Sequence, residues 1–82
     1  QSNLAIAYYG RGYIETVFGE NPAKSKSDRL KHWREAIDWN QRALDFLDKM
    51  RRDGGSSSGD AKFETDLRGV IEECEQAIRK LQ

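Results

Sequence analysis

This chain of 82 residues is poor in the residues that do chemistry. It has one cysteine, one histidine, one methionine and one proline. A single thiol, Cys74, excludes an internal disulfide. With His32 as the only histidine, the chain owns too few His and Cys ligands for a zinc site, so no metal is expected. Net charge is missing as well. Fourteen basic residues balance fourteen acidic ones, so no overall field recruits nucleic acid or anionic lipid. No apolar run approaches transmembrane length, and no membrane insertion is expected. The first apolar stretch, Leu4 to Phe18, has no basic residues before it and is broken by Gly10-Arg11-Gly12, unlike a signal peptide. The lone cysteine and the missing signal point to an intracellular, cytoplasmic setting. The chain does not begin with methionine and reads as a recombinant piece or a cut fragment. Gln1-Ser2-Asn3 resembles the remnant of a protease tag site, so residues 1–3 are set aside from fold reasoning.

What is present favours helix. Ala, Leu, Glu, Lys, Arg and Gln are abundant, 37% of the chain is apolar and 34% is charged. We expect a single all-α domain over residues 4–82, a three-helix antiparallel bundle with helices at 4–18, 28–52 and 61–81. The first helix carries Leu4, Ala7, Arg11, Ile14 and Phe18 on one side and Ala5, Tyr8, Tyr9, Gly12 and Tyr13 around the other. A helix apolar over so much of its surface touches more than one neighbour. Gly12 costs helix propensity, and the structural return is close approach of a second helix. Gly19, followed by Pro22, reads as a stop. Ser25, Ser27 and Asp28 are candidate caps for the second helix, and Ser25-x-x-Asp28 has the spacing of a capping interaction.

In the second helix Leu30, Trp33, Ile37, Asn40, Leu44 and Leu47 recur at three- and four-residue steps, with Trp39, Ala43, Phe46 and Met50 widening the stripe. Lys31–Glu35, Asp38–Arg42, Asp45–Lys49 and Asp48–Arg52 are opposite charges four apart, which marks the solvent side. Residues 53–60 read as a flexible linker, with Gly54 ending the second helix and Asp60 capping the third. Phe63, Leu67, Val70, Cys74, Ala77 and Leu81 then repeat at 4-3-4-3-4 spacing, as a helix packed along a hairpin requires, and Ile71 and Ile78 broaden that face.

Two families resemble this pattern. Ala7-Tyr8-Tyr9-Gly10-Arg11-Gly12-Tyr13, Gly19, Glu35-Ala36-Ile37 and Ala43-Leu44 look like a tetratricopeptide (TPR) hairpin over residues 4–47. The chain departs from that family in the connection between the two helices, which is longer than the family's tight turn. Domains of the microtubule-interacting and trafficking type (MIT) are stand-alone three-helix bundles. Ala5-Ile6 with Gly12, Trp33-Arg-Glu-Ala36-Ile37, Gln41-Arg-Ala43-Leu44-Asp-Phe46, and Leu67, Ile71, Ala77 and Leu81 are similar to their three helices. Both resemblances imply binding rather than catalysis. The MIT-like one implies partners with short C-terminal helical motifs from membrane-remodelling assemblies.

Catalytic signals are absent. His32 shows no orienting partner in the sequence and reads as a solvated histidine near a helix start. Glu72, Glu73 and Glu75 read as a solvated acidic face. No cofactor and no catalytic residue is expected, and the chain is read as a non-enzyme. The basic stretch Lys24 to Arg34 is the best nucleic-acid candidate, but zero net charge and the lack of a recognisable motif argue against it. The expected function is protein–protein recognition, with a helical or extended peptide lying in a groove between helices. The groove beside the third helix would be formed by Leu67, Ile71 and Ile78, with Arg68 and Arg79 at its rim. The alternative face is the first helix around Tyr9, Tyr13 and Thr16. A different class of reading is assembly: Tyr13, Trp39 and Phe46 are large apolar groups that a homodimer or the rest of a larger protein would cover.

Overall fold

In the computed structural model, residues 3–54 and 58–82 are described. They form three helices, α1 (Asn3–Glu20), α2 (Lys26–Arg52) and α3 (Ser58–Leu81), with no strand among the described residues. The bundle measures 44 × 19 × 15 Å. Its length is that of α2, because 27 residues at about 1.5 Å each span about 40 Å. Contacts run from α1 to α2 and from α2 to α3, while α1 and α3 barely meet. The central helix therefore carries two partners on adjoining faces.

The α1–α2 seam is built on small residues. Ala5, Gly12 and Gly19 recur every seven residues and are all buried. A Cβ on Gly12 would stand 2.6 Å from the Asn40 amide nitrogen and 3.4 Å from the Ala36 carbonyl oxygen. A Cβ on Gly19 would stand 2.8 Å from the Trp33 ring. Gly12 thus has the role its spacing suggested. Gly19 does not end the helix: α1 continues to Glu20, and the glycine makes room for the indole instead.

The connection is shorter than the expected helix ends at 18 and 28 implied, with only residues 21–25 between α1 and α2. Asn21 Oδ1 accepts from Ala23 N at 3.0 Å, and Lys24 N donates to Asn21 O at 3.2 Å. Ser25 then caps α2, its hydroxyl accepting from Asp28 N at 3.1 Å. Arg29 Nε donates back to Gly19 O at 2.8 Å, satisfying a carbonyl at the end of α1.

Two apolar clusters lie along α2. Ala5, Ala43, Leu44, Leu47 and Leu67 form one, with Tyr8, Tyr9, Phe46, Phe63 and Ile71 packed against it. Trp33, Ala36 and Cys74 form the other, with Ile37, Val70, Ala77, Ile78 and Leu81 around them. The 4-3 stripe of α3 thus meets the hairpin as expected. Gly54 has φ +86° just past the end of α2, the left-handed stop expected of it. The linker boundary moves, because α3 begins at Ser58 and Asp60 falls within the helix rather than before it. Residues 55–57 of the expected linker lie outside the described residues.

Candidate functional site

Because α1 and α3 both pack on α2 but hardly on each other, a groove of about 600 Å³ runs between them. Tyr9, Tyr13, Thr16 and Glu20 form one wall, Val70, Gln76, Ala77 and Lys80 contribute to the other, and Trp33 of α2 lines it too. The helices touch at one end, where the rings of Tyr9 and Phe63 meet edge to face at 5.8 Å. The three residues of the alternative sequence-based face, Tyr9, Tyr13 and Thr16, are thus brought together in one wall. Thr16 also returns its hydroxyl to Tyr13 O at 2.6 Å, which leaves that wall less polar than its residue types suggest.

Outside the groove, α1 stays apolar. Leu4, Ile6, Tyr13, Ile14, Val17 and Phe18 are the exposed large apolar residues among those described, and all belong to α1. Tyr13 is 61% exposed, Ile6 54% and Val17 47%. Helical geometry at 100° per residue places Ile6, Tyr13 and Val17 on one strip next to the groove. Gly10 lies beside that strip, and a Cβ there would meet nothing within 4 Å.

The residues nominated on α3 do not assemble into a comparable surface. Leu67 has no exposed area and is core, which removes it from any partner surface. Its place in the 4-3 stripe is the reason, since the stripe faces α2. Ile71 and Ile78 are half-buried and lean on different core clusters. Ile71 lines a shallow recess of about 290 Å³ with Gln41, Leu44 and Arg68. Arg68 is exposed and reaches Glu64 at 3.6 Å, and Arg79 is exposed near the end of α3.

Several charges are differently employed than the sequence suggested. His32 is not simply solvated: its Nδ1 lies 2.6 Å from Glu15 Oε1, and its ring lies 5.0 Å from the ring of Phe18. The partner is seventeen positions away, on α1, where spacing along α2 could not reveal it. Among the described residues, none of the four expected i,i+4 pairs on α2 closes to a salt bridge. Arg42 lies 4.7 Å from the Trp39 ring centroid instead, Arg11 covers the same ring at 5.2 Å, and Arg51 pairs across to Glu64. The Trp39 ring, flanked also by Tyr8 at 5.8 Å, and Phe46 are both half-buried, so of the three expected exposed aromatics only Tyr13 stands open.

Cys74 is buried, as its spacing implied. Burial first, and then the carboxylates of Glu73 and Glu75, push its thiol from 9.0 up to about 11. At neutral pH it is protonated and a poor nucleophile. Glu72, Glu73 and Glu75 are exposed. No helix is long and apolar enough to cross a membrane among the described residues. In comparisons with known proteins, no family matches the chain, and neither a curated protein nor a solved structure is detectably similar to it.

Proposed function

We propose that this chain is a non-enzymatic protein-interaction module whose docking surface is α1 together with the groove between α1 and α3. The observation that carries this reading is the confinement of the exposed large apolar residues to one helix. Scattered apolar residues need no explanation, whereas a strip of them beside an open groove is costly to leave in water. The occupant is a helix of another protein, laid along Ile6, Tyr13 and Val17 with its edge entering the groove. The tetratricopeptide-like and MIT-like resemblances support the same class of function, and a buried, protonated thiol is compatible with an intracellular, cytoplasmic setting. The alternative is assembly, with a second copy of α1 as the covering helix.

Site-specific crosslinking tests the reading. A photoreactive phenylalanine analogue in place of Tyr13 should crosslink a partner from the native extract, and the same probe in place of Arg79 should not. Equal yields from the two positions would remove α1 as the docking surface. Light scattering over a range of concentrations separates the alternative. A dimer that Tyr13→Glu dissociates would favour assembly over a foreign partner.

A further inference from the structure

The α1–α2 seam holds a second constellation, on the side of α1 away from the groove. Glu15 of α1 and His32 and Glu35 of α2 each offer one ligand atom, and these atoms lie within 4.8 Å of one another. All three side chains are half-buried. We propose that Glu15, His32 and Glu35 bind one divalent transition-metal ion, with zinc the best match to their donor set.

The geometry comes from two helices. His32 and Glu35 are three apart on α2, so they project from the same face about one turn apart. Glu15 arrives from α1 and already touches the imidazole, 2.6 Å from Nδ1. The ring is held from another side by Phe18, centroid to centroid 5.0 Å. An ion with bonds near 2.1 Å places its ligands about 3.4 Å apart in a tetrahedron, so a small rotation of the glutamates closes the set. The count of His and Cys alone argued against zinc, but carboxylates are zinc ligands too. Two of them and one imidazole are a donor set for zinc or another first-row metal rather than for magnesium, which prefers oxygen alone. Water would complete the coordination sphere.

Charge also favours a cation. With a neutral imidazole the three side chains carry two negative charges. Among the described residues, neither carboxylate forms a salt bridge to lysine or arginine, and Glu35 forms none at all. Arg11, Asp38 and Arg42 line the same recess as Glu15 and Glu35, but both guanidiniums lie against the Trp39 ring and neither pairs with a carboxylate among the described residues. A hydrogen bond between Glu15 and His32 accounts for two members of the cluster and leaves Glu35 beside them without a partner. A shared ion accounts for all three, and it would tie α1 to α2. The proposal is independent of the docking surface.

Isothermal titration with zinc chloride tests it, on untagged protein carrying Cys74→Ala so that the thiol takes no part. We expect one ion per chain and a rise in melting temperature on saturation. His32→Ala, Glu15→Gln and Glu35→Gln should each weaken binding roughly tenfold or more, and magnesium should give no comparable heat. Glu35→Gln is the deciding variant. Glu35 takes no part in the Glu15–His32 contact, so a purely structural pair predicts no effect of changing it. Unchanged zinc affinity in Glu35→Gln, no zinc binding at millimolar concentration, or equal binding of magnesium would each overturn the site. Circular dichroism of each variant confirms that a lost affinity is not a lost fold.

Discussion

Gly10 and Gly12 stand two residues apart on α1 and should respond oppositely to the same substitution. At Gly12 an added methyl group meets the buried Asn40 amide at 2.6 Å, and that amide is held in place by its hydrogen bond to the Ala36 carbonyl oxygen at 2.7 Å. Gly12→Ala should therefore destabilise by about 1–3 kcal/mol, the usual range for overpacking. At Gly10 the methyl group enters open space, so Gly10→Ala should stabilise by about 0.5–1 kcal/mol through helix propensity and a less flexible unfolded chain. Urea unfolding of the two variants reads both signs. Cys74 makes a second prediction at this scale. Its folded pKa is raised, so the stability gained by keeping the thiol neutral is fully present below pH 9.0. It is lost as pH rises through about 11, on the order of 3 kcal/mol in all. Alkylation at pH 8 should be slow in the folded chain and fast in urea. Rapid native labelling would show that the thiol is not enclosed. Spacing alone identified Gly12 and Cys74, because a heptad pattern states which residues face inward. Glu15–His32 was out of its reach, since a pairing between helices depends on how they are rotated against each other.

At the scale of elements, the apolar periods determined the three helices and left only their ends open. Trp33, Ala36, Asn40, Ala43, Leu44 and Leu47 are the buried residues of α2, and most of them were in its expected stripe. Capping was legible because Ser25-x-x-Asp28 is a local interaction; Ser25→Ala should cost about 1 kcal/mol of stability, measured by thermal melting. The end of α1 was misread because Gly19 offers the same glycine for two purposes. A glycine releases a helix when its φ is positive, but it also makes room for a neighbour, and only the position of Trp33 distinguishes these. The face of α3 illustrates a related limit. A broad stripe shows that many residues are covered but not which of them form the edge. Leu67 went to the core, and Ile71 and Ile78 went to its margins.

For the whole molecule, the decisive feature is that α2 separates two helices that do not close on each other. Three helices packed mutually would enclose one core; here α1 keeps an apolar side facing outward. That asymmetry was only half visible in the sequence. The first helix read as apolar nearly all round, but nothing in its period says which part α3 leaves uncovered. It leads to a test that separates docking surface from fold. Ile6 and Val17 are exposed and belong to neither core cluster, so Ile6→Glu with Val17→Glu should melt within a few degrees of the parent. Ile71→Asp with Ile78→Asp should melt far lower, because each places a charge against packed side chains. Circular dichroism melts of the two double variants, run beside the parent, give the comparison. If the α1 pair is lost to unfolding as readily as the α3 pair, the outward strip belongs to the fold and cannot serve a partner. If it melts like the parent and the Tyr13 crosslink disappears, the same strip is dispensable for folding and required for binding, as a docking surface must be.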